Sequence, residues 1–174
     1  MTMAAVNALT RDEFVAAFGW VFEHSPWVAE QAWPHRPFAG AAALHAAMVR
    51  EVEAADRQTK LALLRAHPDL GARARMSDAS VGEQLGAGLD RMNVTDYQRL
   101  QSLNATYRER FGFPFLFAVK GSTITDILAA LERRIKAGPE PEFHEALTQA
   151  YQIAYFRLVG QTIVFRGLSP VPAG

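Results

Sequence analysis

The chain has 174 residues, of which 49% are hydrophobic and 21% are charged, close to the composition of an ordinary globular domain. Its 18 basic and 18 acidic side chains balance, so no overall field attracts nucleic acid or an anionic membrane. The absence of cysteine excludes disulfides, thiolate metal sites and a cysteine nucleophile. We therefore expect a single domain, residues 1–174, that folds on its hydrophobic core alone.

No targeting segment is visible. Charged residues 11–13 interrupt the N-terminal stretch before a signal-like segment forms. The longest uncharged apolar run, residues 113–119, is far shorter than the about 20 residues of a membrane helix. The chain ends in Pro-Ala-Gly, which is not a peroxisomal signal. We expect a soluble cytoplasmic protein that binds neither nucleic acid nor membranes.

Helix-start and helix-stop signals recur along the chain, and convincing hairpin signals do not. Pro68 favours a helix end at or just before His67, and Gly112 is a typical helix stop. The sequence predicts an all-α bundle of about eight helices. The predicted starts are a capping box at Thr10, Ser25-Pro26, Ala41, Asp56, Thr95, Ser122 or Thr123, and Pro141.

One apolar segment does not fit the helical pattern. Residues 113–121 are almost continuously apolar, which predicts a buried extended segment. No second strand candidate is present to pair with it. The bundle is therefore expected to hold one extended segment without a partner strand.

His67 is the histidine with the most distinctive context, since it stands at a helix end before Pro68. The negative end of the helix dipole favours its protonated form. Its ordinary pKa near 6.5 suits acid or base chemistry at neutral pH. The alternative is a histidine that only caps the last helical carbonyls.

Two further sites each allow a structural and a functional interpretation. Ser80 and Glu83 form a second candidate capping box, but Glu83 and Gln84 in a first helical turn could also bind an anion. Arg157 is flanked by apolar positions of the last helix, where arginine is paired or snorkelling, or aimed at a substrate carboxylate.

The other four histidines, His24, His35, His45 and His144, are interpreted as packing or solvated side chains. Neither His-Glu-x-x-His nor Glu-x-x-His occurs in the sequence, so the spacing favours no metal site.

Five motifs follow one another along the chain: His67-Pro-Asp-Leu-Gly71, Ser80-x-x-Glu83-Gln84-x-x-Ala87-Gly88-Leu89, Leu103-Asn104-x-x-Tyr107-x-x-Arg110-Phe-Gly-Phe-Pro-Phe115, Ala118-Val119-x-Gly121 and Arg157-Leu158. In this order and spacing they resemble the family of 2-oxo-4-hydroxy-4-carboxy-5-ureidoimidazoline (OHCU) decarboxylases of urate degradation. With the region of Phe14 and Phe18-Gly19, the resemblance covers nearly the whole chain.

The resemblance implies an all-α, cofactor-free homodimer that converts OHCU to (S)-allantoin and CO2, the last step from urate to allantoin in purine degradation. It implies that His67 and Glu83 are catalytic and that no metal takes part. The substrate-binding residues that it implies are Pro68, Ser80, Val81, Gly82, Glu83, Gln84, Phe115, Leu116, Phe117, Ala118, Val119 and Arg157.

Two other functions stay open at this point. One is a helical module that binds a small anion or a partner protein, in which His67 and Glu83 would lie far apart. The other is a cofactor-free lyase or hydrolase that acts on another ureido or hydantoin ring, because one fold can host several chemistries.

We expect chelators to leave the activity unchanged, because the sequence offers neither cysteine ligands nor a paired helical ligand spacing. Dialysis against EDTA followed by a decarboxylation assay measures this. Activity that is lost on dialysis and recovered with zinc or manganese would contradict the expectation.

Overall fold

Eight α-helices form most of the part of the chain that the computed structural model describes, residues 1–72, 83 and 88–160. Within this part no strand occurs, so the all-α prediction is confirmed, and no helix is long and apolar enough to span a bilayer. Single 3-10 turns cover Trp33–His35 and Leu89–Arg91. The helices are α1 (Met3–Ala8), α2 (Arg11–Phe18), α3 (Trp27–Ala32), α4 (Ala41–Ala54), α5 (Arg57–Arg65), α6 (Val94–Phe111), α7 (Ile124–Ile135) and α8 (Pro139–Gly160).

The chain divides into two compact units. The terminal unit consists of Met1–Asp56 with Ala154–Gly174, and the central unit is Arg57–Ile153. In the terminal unit, Phe14 packs on Phe18 with ring centroids 4.9 Å apart. In the central unit, the ring of Tyr107 on α6 packs against those of Phe111, Phe113 and Phe115.

The predicted helix starts are confirmed at two capping boxes. Thr10 caps α2 and Thr123 caps α7, and each hydroxyl and its partner carboxylate exchange hydrogen bonds with the backbone of the other residue. The donated backbone N–H of Thr10 holds the pKa of Glu13 below its usual value, and that of Thr123 does the same for Asp126. Both boxes are local, so the sequence alone was enough to locate them.

Three predicted starts were wrong. Helix α6 begins at Val94, because Asn93 accepts the N–H of Asp96 and caps it before Thr95. Helix α8 begins at Pro139 rather than Pro141, since prolines fit the first turn, where an N–H would lack a helical partner. Ser25 does not cap α3, because its hydroxyl donates to the carbonyl of Glu23 instead.

The apolar segment that follows α6 is largely buried, as predicted, and residues 113–119 belong to neither a helix nor a strand. Gly112 ends α6 at φ 77°. Residues 113–116 and Val119 are buried, while Phe117 and Ala118 are half-buried. Among the residues that the structure describes, the segment has no partner strand, and it runs into the turn before α7. Its backbone must therefore find hydrogen-bond partners on the helices.

Gly71 closes the turn that follows His67. Its φ of 77° lies in the left-handed region, and an added Cβ would lie 3.1 Å from Leu100 Cδ2 on α6. Glycine is therefore required both by the backbone conformation and by the packing on α6.

Gly121 supplies a matched control for Gly71, because its φ is 79° and nothing lies within 4 Å of an added Cβ. We expect Gly121→Ala to lower the free energy of unfolding by about 1 kcal/mol, the cost of the left-handed conformation. Gly71→Ala should cost more, because the contact with Leu100 adds to that strain. Urea denaturation measures both, and equal losses would contradict the packing role.

Candidate active site

His67 lies just beyond the C-terminus of α5 and is buried, with 7% of its surface exposed. Its Nδ1 is 2.9 Å from the carbonyl oxygen of Leu63. A carbonyl can only accept, so Nδ1 carries the proton, and in the neutral ring Nε2 holds the lone pair. The capping and the acid–base interpretations are therefore compatible, because each uses a different ring nitrogen.

The turn that carries His67 is held by α6. Asn104 Nδ2 donates to the carbonyl of Leu70 at 2.9 Å, and this amide is buried. One helical turn further on, Arg108 Nη2 pairs with Asp69 Oδ1 at 2.8 Å. Positions 104 and 108 share one face of a helix, so that face of α6 orients the turn after His67.

The same helix supports the extended segment. Tyr107 lies 5.4 Å, centroid to centroid, from Phe115 in an edge-to-face arrangement. Arg65, at the end of α5, donates from Nε to the carbonyl of Gly112 at 2.9 Å. The structure therefore brings the His67 turn and the Phe115–Val119 segment to a common support within the central unit.

A buried polar cluster lies behind this segment. Glu142 Oε1 accepts from the hydroxyl of Tyr107 and, at 2.8 Å, from Nε of Arg134. Arg134 also donates from Nη1 to the carbonyl of Leu116 at 2.6 Å. Burial first, and then the hydrogen bond to Glu142, raises the pKa of Tyr107 well above its usual range. The phenol therefore stays a neutral donor to a charged acceptor.

Arg157 belongs to the terminal unit and is buried there. Its Nη2 lies 2.8 Å from Glu23 Oε2, and its Nη1 donates to the carbonyls of Trp20 and Val21. The sequence allowed either a paired arginine or one aimed at a substrate carboxylate, and the structure shows the pairing. A role in holding a ligand stays a prediction, with Glu23 as the residue that orients the guanidinium.

The remaining predicted site residues are placed only in part. Glu83 is helical and half-buried, and Pro68 is half-buried. Within the described ranges, no group of three or more acidic or histidine side chains could hold a metal ion. Four predicted binding residues lie outside the described residues: Ser80, Val81, Gly82 and Gln84.

The sequence analysis missed the residues that support the site, although a signal for two of them was present. Arg134 follows Ile127 and Leu131 at the spacing of one helix face, and Glu142 likewise precedes Ala146 and Ala150. A charged residue on an apolar face indicates a buried partner. Glu23 lies outside any regular helix, so no such pattern could identify it.

Comparisons with known proteins agree on one family. A family model described as OHCU decarboxylase matches residues 7–159. The 2-oxo-4-hydroxy-4-carboxy-5-ureidoimidazoline decarboxylase of Haloferax volcanii is 51% identical over 158 residues, which cover 91% of this chain and 94% of the relative.

Two solved structures share the fold. A crystal structure of (S)-allantoin synthase matches with a TM-score of 0.74 and 32% identity, over 92% of this chain and 54% of that chain. A crystal structure of an OHCU decarboxylase in the presence of (S)-allantoin matches with a TM-score of 0.67 over 80% of this chain and 93% of that chain. At 23% identity, the second likeness shows the fold alone.

The helical fold and these matches define an all-α decarboxylase. Because the family model covers most of its length, the chain belongs to the OHCU decarboxylase family.

We expect His67→Asn to lower turnover by roughly 10²–10⁴-fold, the usual contribution of a positioned acid–base group. Asparagine can still offer an N–H near the position of Nδ1, so the bond to Leu63 and the melting temperature should be nearly kept. Steady-state kinetics and thermal unfolding measure the two effects. If His67 only capped α5, the same variant would keep its turnover.

Proposed function

We propose that this chain decarboxylates OHCU to (S)-allantoin in the degradation of urate. The observation that supports it most strongly is the 51% identity to a decarboxylase of that name across nearly the full length of both chains. The geometry adds a buried histidine whose Nδ1 is held by Leu63, which leaves Nε2 as the nitrogen that can exchange a proton.

The substrate can stabilise the charge that its own decarboxylation creates. One ring carbon carries the carboxylate and a hydroxyl, and its neighbour forms a ring C=N bond. When the bond to the carboxylate breaks, its electron pair moves into the adjoining ring bond, and the imine nitrogen takes up a proton. A proton then adds to one face of the former imine carbon, while the hydroxyl loses its proton and becomes the ring carbonyl.

This chemistry needs proton transfer and orientation rather than a cofactor that accepts electrons. We assign proton transfer and orientation of the substrate to His67 and Glu83. Glu83 charges and orients His67, which hydrogen-bonds the substrate hydroxyl or carboxylate, and one of the two delivers the proton to carbon. Positioned acid–base groups contribute about 10²–10⁴-fold, and fixed dipoles and orientation supply the rest.

Binding is assigned to three parts of the chain. The backbone of the extended segment, residues 115–119, contacts the substrate. Arg157, held in one orientation by Glu23 and two carbonyls, helps to hold the ligand. Pro68 is assigned to binding in the histidine turn, and Ser80, Val81, Gly82 and Gln84 are assigned to binding as the sequence neighbours of Glu83.

We also propose that the protein acts in the cytoplasm as a homodimer. The support for the dimer is the resemblance to the family, whose members are usually dimeric. Light scattering on the purified protein distinguishes a mass of twice the 19.2 kDa chain from that of a monomer.

Coupled turnover tests the proposed function. Urate is oxidised and hydrolysed in situ, and the loss of OHCU absorbance is followed with and without the protein. We expect faster decay and an excess of (S)-allantoin by circular dichroism, because protonation on one face requires a chiral site. Decay at the spontaneous rate with racemic allantoin would refute the proposal.

The variant Glu83→Gln separates catalysis from capping in the same assay. Glutamine also serves the N3 position of a capping box, so a capping residue would keep its turnover. A residue that charges His67 should lose roughly 10²-fold or more.

A further inference from the structure

We propose that Arg134 and Gln149 are positioning residues that set the conformation of the extended segment by anchoring its backbone at two points. The inference rests on the proposed function, because it assigns these residues to the segment expected to contact the substrate. Neither side chain is assigned a contact with the substrate.

The first anchor is the carbonyl of Leu116. Arg134 Nη1 donates to it at 2.6 Å, and the guanidinium Cζ lies over the ring of Phe115, 4.6 Å from its centroid. Arg134 is 6% exposed and Leu116 is 2% exposed. A hydrogen bond from a charged donor is strong, and burial shields it from competition with water.

Glu142 makes this anchor possible. Arg134 Nε and Nη2 lie 2.8 and 2.6 Å from Glu142 Oε1, and Tyr107 donates to the same oxygen. The carboxylate balances the buried charge and accepts the hydrogen bond of Nε, with Nη2 in ion-pair contact, and Nη1 is the nitrogen that bonds Leu116. A lysine could not hold Glu142 and Leu116 with the same fixed geometry, because it lacks the planar fork.

The second anchor is the N–H of Ala118, which donates to Gln149 Oε1 on α8 at 2.9 Å. The amide of Gln149 is itself oriented, because its Nε2 donates to Glu145 Oε1 at 2.9 Å one turn earlier. Gln149 is half-buried, so it tolerates substitution better than the buried cluster.

The two anchors have a common consequence for the residue between them. Arg134 on α7 holds the C=O of Leu116, and Gln149 on α8 holds the N–H of Ala118. With the backbone fixed on both sides, the N–H and C=O of Phe117 are restricted in the directions that they can face. The anchors decide which backbone groups are presented to a ligand.

The Gln149 anchor can be removed and restored by two variants. Gln149→Met deletes the acceptor for Ala118. The exchange Glu145→Gln with Gln149→Glu keeps an acceptor at position 149 and reverses the roles of donor and acceptor in the contact with position 145. Thr148→Ala, which removes a hydroxyl that donates to the carbonyl of His144 on the same helix, is the matched control.

We expect Gln149→Met to raise KM roughly 3–10-fold, the effect of one lost hydrogen bond, with a smaller change in kcat. Weaker binding of ground state and transition state alike raises KM without lowering kcat. The exchange variant should return KM to within twofold of the starting chain. A wild-type KM in Gln149→Met, or no recovery in the exchange variant, would overturn the Gln149 anchor.

The Arg134 anchor is tested by replacing the whole polar cluster with apolar side chains: Tyr107→Phe, Arg134→Met and Glu142→Met together. Buried ion pairs often tolerate such replacement without loss of stability. The exposed pair of Arg99 and Glu132, changed to two methionines, is the control. We expect the triple variant to raise KM roughly tenfold or more, with the control unchanged.

If the triple variant does not fold, Arg134→Lys tests the Arg134 anchor instead. This substitution keeps the positive charge beside Glu142 but removes the planar guanidinium. A raised KM supports the Arg134 anchor, while a lowered melting temperature with an unchanged KM shows a merely structural role and overturns it. These outcomes are distinct from failure of the proposed function, in which the starting chain itself would not accelerate OHCU decay.

Discussion

The arrangement of the central unit depends on one buried ion pair, Arg134 with Glu142. Removing two charges from water is costly, and their attraction compensates only if the remaining donors and acceptors are also satisfied. Tyr107 and the carbonyl of Leu116 supply two of these partners, while Arg134 Nη2 has the ion-pair contact with Glu142 but no hydrogen bond. The ion pair therefore constrains both an aromatic side chain on α6 and a backbone carbonyl of the extended segment. Loss of either one would remove a hydrogen-bond partner from a buried charged group.

Helix α6 extends this constraint to the histidine. The helix carries Tyr107, which bonds Glu142, between Asn104 and Arg108, which hold the turn after His67. His67, proposed as a proton-transfer residue, and the proposed binding segment are far apart in sequence, and both are supported by this one helix. Catalysis by orientation demands that kind of support, since a displacement of about 1 Å can cost about 10²-fold in rate.

Much of the fold could be predicted because its signals are local. Capping boxes, the stop at Gly112 and the helix end before His67 each involve residues within one or two turns. The errors at Ser25, Thr95 and Pro141 are also local, because more than one nearby residue could begin each of these helices. For the proposed site, the motifs selected His67 and the extended segment as candidates, but they did not indicate the residues that hold them.

The sequence by itself determined the all-α class, the family and the identity of the candidate catalytic histidine. Composition, helix signals and motif order depend only on the residue types and their order in the chain. Only the tertiary structure decided that Arg157 pairs with Glu23, that Arg134 pairs with Glu142 and that Gln149 binds Ala118. The physical reason is that burial makes each of these polar groups find a partner. Which partner it finds depends on how segments distant in sequence are packed, and no local pattern contains that information.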